Sequence, residues 1–245
     1  LSARLGNAAI ISTEAATTIL AALPVNAATP LLFIRSIVIG AADAAAILAA
    51  IYKAHPTKAA DILGFFKPAD ATSSPVWLTA SVSSPLGFDG SIMTRIAAAA
   101  DSIPISDRTS FSLLYFQQYT LIAIILEAMD PSTAASILAL MKADAAAAIL
   151  GAMTNILGDG TSEIGGSSSS ILSVMDVDAA VAILTAMDTA IYGAAMLAAD
   201  TLVAINHLSN SSAVTILDAM YKTNNGRAVE ILADMYQAGV VDILA

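Results

Sequence analysis

Met129-Asp130-Pro131-Ser132-Thr133-Ala134-Ala135-Ser136-Ile137-Leu138-Ala139-Leu140-Met141-Lys142-Ala143-Asp144-Ala145-Ala146-Ala147-Ala148-Ile149-Leu150-Gly151-Ala152-Met153 contains the same short phrase twice. The phrase is Ala-x-x-Ile-Leu-x-x-Met. Its four fixed positions stand at i, i+3, i+4 and i+7, which places them on one stripe of an α-helix. The two copies begin 12 residues apart, room for about two helical turns and a tight turn. A helix that short is not stable alone and must lay its stripe on its neighbours.

Outward from this stretch the phrase recurs. Clean copies stand at Ala180/Ile183/Leu184/Met187, Ala213/Ile216/Leu217/Met220 and Ala228/Ile231/Leu232/Met235. Copies ending on another apolar residue are Ala16/Ile19/Leu20/Leu23, Ala44/Ile47/Leu48/Ile51 and Ala59/Ile62/Leu63/Phe66. Looser copies start at Ala28, Ile122, Ser168, Gly193 and Val240. Breaks fall at Leu23-Pro24, His55-Pro56 and Asp130-Pro131, the last an N-cap acid before a first-turn proline. Asp176 and Asp188 each follow a methionine that closes a unit, where an acid suits the positive end of the next helix dipole. The expected fold is all-α: a superhelical array of short helical repeats with an irregular central insertion.

The run from Met129 to Leu138 resembles the repeat in the cytosolic N-terminal domain of MgtE-type magnesium transporters, itself similar to repeats of the flagellar switch protein FliG. The resemblance extends in patches over residues 10–66 and 120–245. It implies a right-handed superhelix of short helices and, as a function, a regulatory module that responds to a divalent cation. The transporter repeat is rich in glutamate where this chain carries Ala, Ser and Thr.

Composition narrows the function. The chain of 245 residues holds 53 alanines, with charged residues at only 12% and aromatic ones at 5%. Few charges leave little to cover a solvated surface, so much of the outside is expected to lie against partners. The net charge is −10, and from Glu127 to Asp218 ten acids face a single base, Lys142. Nucleic acid is disfavoured as a partner, because phosphate contacts need basic clusters. A basic protein partner or an acidic lumen-type compartment fits better. There are no cysteines, which removes disulfides and thiolate metal sites. The most apolar long stretch, Leu31 to Ala54, carries Arg35 and Asp43, and the stretch before it is cut by Pro24 and Pro30, so membrane association is expected only through partners.

Three segments are read from these patterns: N-terminal repeats over 1–66, a Pro/Ser-rich insertion with an aromatic helix over 67–119, and C-terminal repeats over 120–245 with a Gly/Ser loop at 158–170. Asp159 and Glu163 in that loop do not follow the spacing of an EF-hand. In the insertion, Trp77, Phe88, Phe111, Tyr115 and Phe116 gather large aromatic side chains where the repeat fails. They are the expected partner-binding residues, since aromatic anchors dominate interface energetics.

No catalytic constellation stands in the sequence: no nucleophile elbow, no phosphate-binding glycine loop, no His-Glu-x-x-His and no dinucleotide fingerprint. The two histidines, His55 and His207, have no carboxylate or serine at motif spacing. No metal site or cofactor is expected, with peripheral chlorophyll on His55 or His207 as the one pigment option. The expected role is a non-enzymatic scaffold or linker subunit bound to protein subunits of a larger assembly. Its specific form is a linker or extrinsic subunit of an algal photosystem–antenna supercomplex at the plastid thylakoid, an association carried by the Ala/Ser-rich, acidic, lysine-poor composition alone.

Overall fold

The computed structural model describes residues 11–65, 121–156, 166–187 and 197–237. The fold is all-α, and no strand occurs among the described residues. The N-terminal helices are α1 (Thr13–Ala22), α2 (Val25–Val38), α3 (Ala41–Ala54) and α4 (Pro56–Gly64). Residues 121–127 are helical as well. They lead into α5 (Pro131–Leu138), α6 (Ala143–Ile156), α7 (Gly166–Ser173), α8 (Val177–Met187), α9 (Leu197–Leu208), α10 (Asn210–Thr223) and α11 (Asn225–Gln237).

The sequence punctuation sets most of the ends. Asp130 caps α5 by accepting from the Thr133 N–H at 3.0 Å, with Pro131 in the first turn, where its missing N–H costs nothing. Asp176 accepts from the N–H groups of Asp178 and Ala179 and caps α8 in the same way. His55 is at once the last cap of α3 and the first of α4, before Pro56. Between α2 and α3 the chain turns at Gly40, whose φ of 133° lies in a region that only glycine enters without strain.

Stacking follows a simple rule, in which each helix packs on its next-but-one neighbour. Thus α1 lies on α3, α2 on α4, α5 on α7, α6 on α8, α7 on α9, α8 on α10 and α9 on α11. Helix α4 packs directly on α5, although residues 66–120 separate them in sequence. The stripes form one continuous core from Ala16 to Met235. Leu138, Leu150 and Leu184 are fully buried, and Leu217 is buried. The loose copies at Ile122 and Ser168 hold: Ile122, Ile125, Leu126 and Met129 are buried, as are Ser168, Ile171, Leu172 and Met175.

Four expectations need correction. Pro30 was expected to break the chain, yet it sits inside α2. It removes one bond to the carbonyl of Asn26, and Asn26 is solvent-exposed, so water can take the place of that donor. The loose copy at Ala28 holds at Ala28 and Leu32 but not at Leu31, which is exposed; the buried stripe of α2 is Ala28, Thr29, Leu32, Phe33 and Ser36. In α9 the buried stripe is Ala198, Thr201, Leu202 and Ile205, and Asp200, the last position of the copy at Gly193, is exposed. The Gly/Ser loop is shorter than 158–170, since α7 begins at Gly166. Ser168 and Ser169 are buried there, where small side chains let the helices approach as alanine does elsewhere.

In the copy Ala16/Ile19/Leu20/Leu23, Ile19 departs from the stripe, being 47% exposed. It lies on α1, the first described helix, which has stacking partners only on its C-terminal side among the described helices. No described helix is long and apolar enough to cross a membrane.

Candidate functional site: polar clusters and the turn edge

The polar groups of the N-terminal block act as staples. Arg35, in the last turn of α2, donates from Nε to Asp43 Oδ2 and from Nη2 to Asp43 Oδ1 at 3.2 Å, across the Gly40 turn. The same Nη2 reaches the Ile11 carbonyl at 3.1 Å, and the Thr13 hydroxyl donates to Asp43 at 2.6 Å. The hydrogen bond from Arg35, helped by that from Thr13 and by the guanidinium charge, holds the Asp43 carboxyl below the usual range against the opposing pull of burial. Three helices are thereby tied at one point. Lys58 of α4 donates to the Ala21 and Leu23 carbonyls, satisfying the end of α1.

Beside Lys58 lies a cleft of about 560 Å³ between the Pro24 and Pro56 turns, with His55 and Asp61 on its wall. It is wide open, and Lys58 is already engaged with backbone oxygens. His55 is exposed at its mouth, and His207 is exposed in the last turn of α9. Among the described residues no group of three or more His, Asp or Glu could hold a metal ion. Asp200 is exposed overall, but the fold shields part of its carboxyl from water, and this partial desolvation pushes it up from its ordinary value.

The aromatic set named from the sequence, Trp77, Phe88, Phe111, Tyr115 and Phe116, lies outside the described residues. A different cluster stands inside them, at the turns. Helices α5 and α7 end alike: the Met141 N–H bonds the Leu138 carbonyl at 3.0 Å, and the Met175 N–H bonds the Leu172 carbonyl at 3.3 Å. This tightened last turn tucks each methionine toward the core and turns the preceding residue outward. That residue is Leu140 in one copy and Val174 in the other, 51% and 55% exposed. Leu208 at the end of α9 is 54% exposed, and Phe65 at the end of α4 is 40% exposed.

Tertiary contacts bring these ends side by side. Packing of α5 on α7 and of α6 on α8 flanks the first two turns on both sides. The Ser212 hydroxyl at the start of α10 donates to the Ser173 carbonyl at 3.3 Å, setting the Leu208 turn against the Val174 turn. A Cβ at Gly64 would meet the Met141 Cε at 3.5 Å, an ordinary contact distance, so Met141 lies against the end of α4 next to Phe65. Phe65, Leu140, Val174 and Leu208 thus stand at the ends of helices that pack in succession, the turn edge, with exposed Asp144, Asp176 and Asp178 starting the helices that follow Leu140 and Val174. The sequence did hold a signal for it. The position before the closing Met is alanine in most copies but leucine and valine at 140 and 174.

Comparison of the chain with protein-family models, with curated proteins and with solved structures finds no match.

Proposed function

We propose that the protein is a non-enzymatic scaffold or linker subunit that holds partner proteins in a larger assembly. The observation that carries this reading is the turn edge. A stacked array uses its stripes internally, and large apolar side chains remain exposed at the ends of helices that pack in succession. Exposed apolar surface gathered in one region marks interaction sites on proteins. The described titratable groups fit the same role. Asp130 and Asp176 cap helices, Arg35 and Asp43 tie three helices, and Lys58 closes a helix end.

A linker or extrinsic position in an algal photosystem–antenna assembly, at the plastid thylakoid, is the specific form of the proposal. Its support is the acidic, Ala-rich, cysteine-free composition. The superhelical coil implied by the resemblance to the magnesium-transporter repeat belongs to the same proposal.

The test is size analysis of a gentle native extract, with cross-linking mass spectrometry on the fraction that holds this chain. Co-migration with defined protein neighbours at constant stoichiometry is the expected result. Migration of the whole pool at the size of the lone chain would refute the proposal.

A further inference from the structure

We propose that the turn edge binds a basic amphipathic helix of a partner protein. The proposal rests on the scaffold reading and specifies the chemistry of its partner.

Geometry sets the form of the ligand. The apolar rungs Leu140, Val174 and Leu208 are equally spaced along the sequence and stand at the ends of α5, α7 and α9, which pack in succession. Packed helices lie about 8–10 Å apart, so three rungs span roughly 16–20 Å. A helix rising 1.5 Å per residue covers that length in about 11–13 residues, and places one apolar anchor beside each rung when anchors recur about every sixth or seventh residue. A row of such rungs suits the apolar stripe of a helix, which docks through regularly spaced anchors.

Charge sets the sign of the flanks. Asp144, Asp176 and Asp178 are exposed at the starts of α6 and α8, directly after the rungs Leu140 and Val174. Asp176 spends one oxygen, Oδ1, on the N–H groups of Asp178 and Ala179 and keeps Oδ2 for a partner. Lys142 is the single base in this part of the chain, against ten acids. A partner helix with lysine or arginine beside its apolar stripe meets complementary charge, and one with acidic flanks is repelled.

The experiment uses the full chain and a fluorescein-labelled synthetic peptide of about 21 residues, with leucine at every seventh position and lysines flanking the leucines. Fluorescence anisotropy reads the binding. The expected result is saturable binding that weakens between about 50 and 200 mM salt. The pair Leu140→Ser and Val174→Ser should weaken it about tenfold or more, while leaving the helical circular dichroism and the melting temperature in place. The pair Asp176→Asn and Asp178→Asn should flatten the salt dependence, since asparagine still caps a helix. A peptide with glutamate in place of lysine should not bind.

Several results overturn the proposal: no binding by the wild-type chain, equal binding of the glutamate peptide, or equal binding by the Leu140→Ser/Val174→Ser variant. So does a wild-type dimer that this variant dissociates, since a second copy then occupies the edge. A melting temperature lowered by several degrees in the variant also overturns it, since the chain then covers its own rungs. Failure here with co-migration intact in the native extract removes the edge and leaves the scaffold reading standing; a lone chain in the extract removes the scaffold reading itself.

Discussion

Leu138 and Leu140 stand two residues apart at the end of one helix and have opposite surroundings. Leu138 is fully buried in the stack and Leu140 is 51% exposed. The same substitution at both, leucine to alanine, therefore measures the register of the repeat. At Leu138 three buried carbons are lost. At about 0.8 kcal/mol for each buried methylene this costs roughly 2 kcal/mol in transfer. The cavity left where α5 meets α7 and α4 adds about 1 kcal/mol, since packed helices relax only in part. The expected total is about 3 kcal/mol. At Leu140 the lost burial is partial and no enclosed cavity forms, so the cost should stay below about 1 kcal/mol. Urea unfolding followed by circular dichroism gives both values, with the slope m unchanged between variants if compactness is kept. Costs that agree within about 1 kcal/mol, or a larger cost at Leu140, would show that the stripe does not face the core as described.

Three further outcomes follow from the same structure. The folded-state pKa of Asp43 lies below its unfolded value, so its stabilising effect is present above the ordinary carboxylate pKa of about 4 and is lost as pH falls through the folded value. The stability gap between wild type and Asp43→Asn should be constant near neutral pH and close under strong acid, as chemical denaturation at a series of pH values can read. Asp200 has the opposite sign: partial desolvation raises its folded pKa, so its charge opposes folding at neutral pH. Asp200→Asn should raise the melting temperature at pH 7, and the gain should vanish below about pH 4. Gly40→Ala should cost about 1–3 kcal/mol although nothing lies within 4 Å of the added carbon, because the φ of 133° is closed to alanine; an unchanged unfolding midpoint would contradict the turn geometry.

Much of the fold was legible in the chain because its signals are local. A stripe at i, i+3, i+4 and i+7 and prolines at positions 24, 56 and 131 act within one or two helical turns, so they specify helix, face and boundary without tertiary context. Where local signals were weak they misled. Pro30 reads as a break, yet α2 carries through it because stacking of Leu32 and Phe33 outweighs one lost hydrogen bond at an exposed carbonyl. The serines 168–170 read as linker, yet two of them are buried, since a serine in a tightly packed helix serves as a small residue. The candidate site was the least legible part. The aromatic residues named in the insertion lie outside the described residues, and the turn edge is a second candidate, made of ordinary residues whose meaning comes from position.

The sequence by itself determined that this protein is helical, where most helices begin, and which side of most of them is apolar. These follow from backbone dihedral preference and from periodicity within a single helix. Only the tertiary structure decided that each helix stacks on its next-but-one neighbour, that α4 meets α5 across residues 66–120, and that Ile19 stays outside while the matching isoleucines of the clean and the other apolar-ended copies go in. It alone showed that the helices ending near Phe65, Leu140, Val174 and Leu208 pack in succession. Contacts between residues that far apart depend on how the stripes choose among near-identical partners, and that choice is made by side-chain packing between helices, which no repeat states within itself.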